Sequence, residues 1–258
     1  MRFGFLVLAV LLAGCGGRGP LYEEGDGPPA QPAVDVMKVP DAVPRYEPLS
    51  KRGNSAYTEF GRRYVPLNSA RGYRERGIAS WYGRKYHGRT ASTGETYDMY
   101  AMTAAHPVLP IPSYARVRNL ENGRVIVVRV NDRGPFRDNR IIDLSYAGAA
   151  RLGIIGAGTG LVEVEAVFPD EAPVTPPAAV TQAGLFLQLG AFGDRSNAEA
   201  LRSRLETDGF QPVFLAANET GGSRLYRVRL GPLNGANEAD RIAEALKRSG
   251  YAPLVVIE

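Results

Sequence analysis

Arg124-Val125-Ile126-Val127-Val128-Arg129-Val130 runs directly into Asn131-Asp132-Arg133-Gly134-Pro135-Phe136, and this stretch decides the fold. Its first half is rich in β-branched residues and suits a strand with a buried face. A second such run precedes it, Tyr114-Ala115-Arg116-Val117-Arg118-Asn119-Leu120. Glu121-Asn122-Gly123 between them predicts a hairpin with a primed turn. Gly77-Ile78-Ala79-Ser80-Trp81-Tyr82-Gly83 opens the region. Arg140-Ile141-Ile142-Asp143-Leu144-Ser145, a short helix from Tyr146 to Leu152, and the alternating run from Leu161 to Phe168 close it. Many short strands with glycine turns and few short helices predict a small closed β-barrel over residues 76–168.

Four further parts flank this domain. Residues 1–14 combine an arginine start, an apolar run and small residues before Cys15, the only cysteine. The 12 uncharged residues from Phe3 to Gly14 are too few for a spanning helix, which needs about 20; they predict an export signal. Leu12-Ala13-Gly14-Cys15 resembles a bacterial lipobox. That resemblance implies a lipidated Cys15 as the mature N-terminus, held stably because several acyl chains share one residue. With Gly16 next, it implies an outer-membrane lipoprotein facing the periplasm; an ordinary signal peptide with a chance cysteine is the plainer alternative. Residues 15–75 hold 8 prolines and no sustained period, which predicts a flexible, disordered tether after the lipidated cysteine. Residues 169–183 predict a proline-rich linker, and residues 184–258 a small α/β module.

Composition narrows the function classes. One cysteine excludes an internal disulfide and a Cys-based zinc site, and 2 histidines leave little for a His-rich metal centre, so no metal or cofactor is expected. The net charge is +4, and residues 76–168 carry the same excess, with 12 basic and 8 acidic side chains. A groove for a polymer and an ordinary arginine bias are the two readings of that excess. An export signal and the lack of any nucleic-acid motif argue against nucleic acid as a partner.

The last module is an internal duplication at an offset of 41 residues. Leu189-Gly190 matches Leu230-Gly231, and Gly209-Phe210 matches Gly250-Tyr251. Each half reads strand, capped helix, glycine stop, strand, with Ser196 and Asn237 as the expected capping residues. Two halves predict βαββαβ, a ferredoxin-like antiparallel sheet with both helices on one side. Strand parity leaves Phe186, Gln188, Arg227 and Arg229 on the open face. That face suits either a polar polymer or plain solvation. Leu187-Gln188-Leu189-Gly190-Ala191-Phe192 and Tyr226-Arg227-Val228-Arg229-Leu230-Gly231-Pro232 resemble a SPOR domain. The resemblance implies binding to septal peptidoglycan, with Gln188, Phe192, Arg227 and Arg229 as contacts.

In the barrel, Asp132 continues the parity of Val128 and Val130 at a strand end. If that face is the interior, adjacent apolar surface would favour the protonated carboxyl and suit a proton donor; a turn aspartate is the alternative. Ser92-Thr93-Gly94-Glu95 and His106-Pro107 read by themselves as loop and turn. Asp143 is read as a cap for the helix that follows, with a place in a cleft as the other possibility. Trp81 and Tyr82 serve either as sugar-stacking rings or as core.

Together these segments resemble the double-psi β-barrel of the rare lipoprotein A family, followed by its SPOR domain. The resemblance implies a six-stranded barrel and a lytic transglycosylase acting endolytically on naked glycan strands that lack stem peptides, cutting between MurNAc and GlcNAc. It places Asp132, Glu95 and His106 in one catalytic cleft. Asp132 would protonate the leaving oxygen, and the muramyl C6 hydroxyl would close on C1 to give a 1,6-anhydro end. The family further implies enrichment at the division septum and functional cooperation with cell-wall amidases. Two rivals stay open: an expansin-like binder that does not cut, and a hydrolase using two carboxylates.

Overall fold

The alternation read from Val125 onward is met in the computed structural model, which describes residues 25–170, 184–220 and 223–258. Strands β1 (Tyr57–Glu59) and β2 (Arg62–Tyr64) form a separate small hairpin. The barrel strands are β3 (Arg74–Trp81), β4 (Thr103–Ala105), β5 (Ser113–Asn119), β6 (Val125–Asp132), β7 (Arg140–Leu144) and β8 (Gly160–Ala166), with helix α1 (Tyr146–Leu152) between the last two. They close in the order β3-β7-β4-β6-β5-β8, with β3–β7 and β4–β6 parallel and the remaining pairs antiparallel. Ile126, Val128 and Val130 point inward with Val117, Ile142, Leu144 and Val164, all at 0–1% exposure, and fill the interior as a six-stranded barrel requires.

The β5–β6 connection departs from the expected primed turn. Residues 120–124 join the strands, and the Asn119 side chain accepts from the N–H groups of Glu121 and Asn122. Asn122 is not left-handed, so no type I′ turn forms.

The stretch expected as a free tether lies instead along the barrel from residue 25 onward. Val36 is buried in the main core. Ala42 donates to Val127 O (3.0 Å), Ser50 to Ile111 O (2.9 Å) and Leu67 to Val108 O (2.7 Å). The Asn54 side chain bonds both backbone groups of Ile111. Prolines deny this segment a regular ladder, but single hydrogen bonds to barrel groups hold an extended chain as well. Cys15 and the export signal lie outside the described residues, as do residues 171–183 of the linker.

The C-terminal module comprises β9 (Leu185–Phe192), α2 (Arg195–Thr207), β10 (Val213–Thr220), β11 (Ser223–Leu233), α3 (Ala236–Arg248) and β12 (Leu254–Ile257). Its antiparallel sheet has the order β10-β11-β9-β12, as the duplication predicts. Leu187, Ala198, Leu205, Val228, Leu230 and Leu246 form its core. The caps differ from expectation. Asp194, not Ser196, caps α2, accepting from Ser196 N at 2.6 Å. Gly235 begins α3 without a side-chain cap, because Asn237 turns to the barrel, where it donates to Ala157 O and accepts from Thr159 Oγ1.

That contact belongs to a docked interface. Ile78, Leu120 and Leu161 of the barrel bury with Leu185, Ala236 and Ala239 of the module. Arg140 pairs with Asp240 at 2.5 Å, both side chains nearly out of solvent.

The packed N-terminal wrap has a measurable consequence. A protein starting at residue 74 is expected to melt about 5–10 °C below one starting at residue 25, the shift produced by losing about 2–3 kcal/mol. Calorimetry of the two decides it; equal midpoints would show that the wrap contributes nothing.

Candidate active site

Strand β6 ends in Asp132, and the pairing of its neighbours fixes where that carboxyl goes. Ala105 on β4 is in register with Asp132 on one side and with Asp143 on the other. The two aspartates therefore stand in one row, two strand spacings or about 9–10 Å apart by Cα. Both line a cavity of about 480 Å3 at the barrel end, together with Ser80, Tyr82, Gly134 and Phe136. Gly134 sits at φ 134°, which lets the chain turn away directly after Asp132 and Arg133.

The carboxyl of Asp132 is held through one oxygen. Oδ1 accepts from Ser92 N (2.8 Å), Ser92 Oγ (2.6 Å) and Arg133 N (2.8 Å). Oδ2 has no hydrogen-bond partner among the described residues, so this cavity-lining side chain keeps one oxygen available. Its surroundings are more polar than the apolar edge expected from parity. The Arg133 guanidinium makes no hydrogen bond to this carboxyl: it donates to Gly53 O, His106 O, Leu109 O and Asn54 Oδ1.

Asp143 is the residue that the sequence reading undervalued. Ser145 caps α1 by accepting from Gly148 N, which leaves Asp143 to the cavity, where Ser80 Oγ donates to it. Both residue types serve as N-caps, and only the barrel register separates them.

Glu95 lies close to Asp132 along the fold without lining the cavity. The loop that carries it is strapped to β6 by Ser92 on Asp132 and by Thr93 N on Asn131 O. Arg129 Nη1 and Nη2 donate to Glu95 at 2.7 and 2.9 Å, and Asn131 Nδ2 adds a third bond at 3.0 Å. These bonds, that from Arg129 foremost, hold the Glu95 carboxyl below the usual carboxylate range. Arg129 also grips Glu47 of the N-terminal wrap at 2.8 and 2.9 Å, which pulls Glu47 down to about 2.

His106 departs from the expected cleft position. Its ring is 1% exposed. Nδ1 accepts from Val108 N and Leu109 N, so the proton sits on Nε2, which meets Tyr73 Oη at 2.8 Å; Tyr73 in turn donates to Glu75. Burial, helped by Arg133, lowers the ring to about 3. Only the backbone of His106 touches the site: its N–H donates to Asp132 O (3.0 Å), and its carbonyl accepts from Arg133.

Trp81 and Tyr82 line the cavity, yet each is only 8% exposed. Tyr82 stacks on Tyr97 at 4.2 Å, and Trp81 packs on Tyr146. They are walls of the core that present limited surface to a ligand. The aromatic rings that the sequence reading overlooked are Phe60 and Phe136, which line the same cavity.

On the C-terminal module, Gln188 and Arg229 are in register on the open face, with Arg227 two residues away. Arg229 is nearly buried, paired with Glu258 at 2.7 Å and lying over Phe186, which meets Phe214 edge-on. Phe192 does not join them. A bulge shifts the β9–β11 register, sets Phe192 opposite Tyr226, and packs it against the helix-side core with Leu201.

His106 and Glu47 set opposite ends of an acid transition. A group whose folded pKa is lowered loses its stabilisation as pH falls from the unfolded value to the folded one. For His106 that window runs from 6.5 to about 3, and for Glu47 from 4.5 to about 2. Stability is therefore expected to decline already between pH 6.5 and 4.5, and His106→Gln should flatten that part of the profile whatever its absolute cost. Denaturant midpoints against pH measure it; an unchanged slope would remove His106 as the cause.

Known families align with these parts. The model described as Lytic transglycolase matches residues 74–164, and the SPOR domain model matches residues 181–257. The Pseudomonas aeruginosa protein named endolytic peptidoglycan transglycosylase RlpA is 37% identical, over 95% of this chain and 92% of its own. The Vibrio cholerae protein of that name is 39% identical over 96% and 93%. A solved structure of the RlpA SPOR domain from Pseudomonas aeruginosa is 35% identical, with a TM-score of 0.27, and covers 28% of this chain and 97% of that one. With barrel, SPOR module and near full-length identity in agreement, the chain belongs to the RlpA family of endolytic peptidoglycan transglycosylases.

Proposed function

We propose that this chain cuts naked peptidoglycan strands as a lytic transglycosylase, with Asp132 as its single proton shuttle. The observation that carries the reading is the half-satisfied carboxyl: Oδ1 is fixed by three donors while Oδ2 stays open in a cavity-lining side chain. In the protonated state that geometry orients an O–H toward a leaving glycosidic oxygen. As the C1–O bond breaks, the proton passes from Asp132 to the leaving GlcNAc oxygen. The muramyl C6 hydroxyl then bonds to C1 and returns its proton to Asp132, so no water is consumed.

The remaining residues serve this step. Asp143 faces the same cavity and can accept a hydrogen bond from a sugar hydroxyl. Glu95, paired with Arg129 outside the cavity, anchors the 92–95 loop whose Ser92 holds Asp132 Oδ1 in place. His106 is a positioning residue, bracing the strand end through its backbone. The SPOR module would bring the enzyme to septal glycan already stripped by amidases, and lipidation at Cys15 would tether it to the outer membrane.

The test uses protein from residue 25 onward, incubated with amidase-treated sacculi, and the released sugars are weighed by mass spectrometry. Anhydro ends are expected from the wild type, with Asp132→Asn at least about 100-fold slower. Reducing ends would point to a hydrolase using Asp143 as the second carboxylate. Absence of any release would leave an expansin-like binder. In cells, a full-length fluorescent fusion should gather at midcell and lose that pattern without residues 184–258, and Cys15→Ala should leave the membrane fraction.

A further inference from the structure

Strands β1 and β2 meet through Phe60 and Gly61, both with positive φ, at 48° and 76°. That is the two-residue turn that twisted hairpins favour, but its first position usually carries Asn, Asp or Gly. A phenylalanine there is strained. It is also 84% exposed, so burial does not compensate for the strain. Its ring stands 6.3 Å from Phe136, which is itself flanked by Tyr57 and Tyr64 at 6.0 and 5.6 Å.

Phe60 stands where two cavities meet. Phe60, Phe136, Arg137 and Arg140 line both the 480 Å3 catalytic cavity and a groove of about 970 Å3 between the barrel and α3. The far wall of the groove is the polar face of α3, fixed against the barrel by the Arg140–Asp240 and Lys247–Asp138 pairs. Arg137 and Arg248 also line it, exposed and without an ion-pair partner among the described residues.

From this geometry we infer that the catalytic cavity continues past Phe60 into the domain junction, and that this groove holds the glycan strand beside the bond being cut. The inference rests on the proposed reading of the catalytic cavity and deepens it. An enzyme that cuts within a chain must hold sugars beyond the scissile pair, and an exposed ring offers a face for pyranose C–H groups. Removing the stem peptide leaves a free lactyl carboxylate on each muramyl unit, and Arg137 and Arg248 supply charge for those anions. The ligand class is a β-1,4-linked amino-sugar chain carrying carboxylates; a neutral chain of the same sugars lacks half of the recognition.

Binding is measured in the Asp132→Asn protein, with naked glycan fragments and with chitohexaose, the carboxylate-free analogue. Phe60→Ala should weaken both ligands about two- to tenfold. Arg137→Gln with Arg248→Gln should abolish the preference for naked glycan over chitohexaose and reduce its salt dependence. With Asp132 intact, both variants should raise KM. Phe60→Gly should melt about 2–4 °C higher than the parent while binding more weakly, because the turn is relieved of strain. Unchanged affinity and KM in both variants would overturn the junction groove. If instead the wild type binds through these residues but releases no product, the groove stands and the catalytic reading fails.

Discussion

The inward alternation of Ile126, Val128 and Val130 is the constraint on which the rest hangs. A six-stranded barrel accepts a side chain at every second position only, so Arg129 must leave on the outer face of β6. A guanidinium mostly removed from water needs acids, and this one takes Glu47 from the N-terminal wrap and Glu95 from the loop over the site. At the end of the same strand the register irregularity opposite Ala105 delivers Asp132 to the cavity, and Ser92 of that loop meets it there. Wrap, loop and candidate acid are thus positioned by one strand whose packing is settled by three apolar residues.

What was legible in the sequence is what periodicity encodes. The barrel strands, the short helix and the duplicated module all carry a repeat of two, of 3.6 or of a whole half-domain. The place of Asp132 at the end of β6 was legible because it extends such a pattern. The features that were not legible depend on distant partners. Prolines in residues 25–73 report missing ladder donors and say nothing about the isolated bonds from Ala42, Ser50 and Leu67. Asp143 and Ser145 are equally good caps locally, and the register through Ala105 decides between them. The side taken by Phe192 was not legible, because a bulge in the β9–β11 register turns it to the helix face. His106 finds Tyr73, 33 residues away, and is drawn out of the cleft.

The docking of the two modules has its own logic. Arg140 is nearly buried with one acid, Asp240, and its Nε and Nη1 atoms lack hydrogen-bond partners among the described residues. A buried ion pair of that kind adds little net stability, because desolvation offsets most of the attraction. Its value is geometric: mispaired, either charge would be stranded, so only one orientation of α3 on the barrel is favourable. The apolar patch of Ile78, Leu161, Leu185 and Ala236 supplies the attraction, and the pair supplies the register. The open sheet face and the barrel-end cavity then keep a fixed relation, which a flexible linker alone would not give.

A proton shuttle must lose and regain its proton within one turnover, and this requires that no fixed cation be bonded to it in either state. Around Asp132 every nearby cation is engaged elsewhere. Arg129 is consumed by two carboxylates, and Arg133 is spread over backbone carbonyls and Asn54. Asp132 is met only by neutral donors, two backbone N–H groups and one hydroxyl, all on the same oxygen. In the proposed mechanism, a proton exchanged with substrate at Oδ2 would break no ion pair of Asp132. The neighbouring arginines, which a reading by charge alone would pair with Asp132, spend their hydrogen bonds elsewhere.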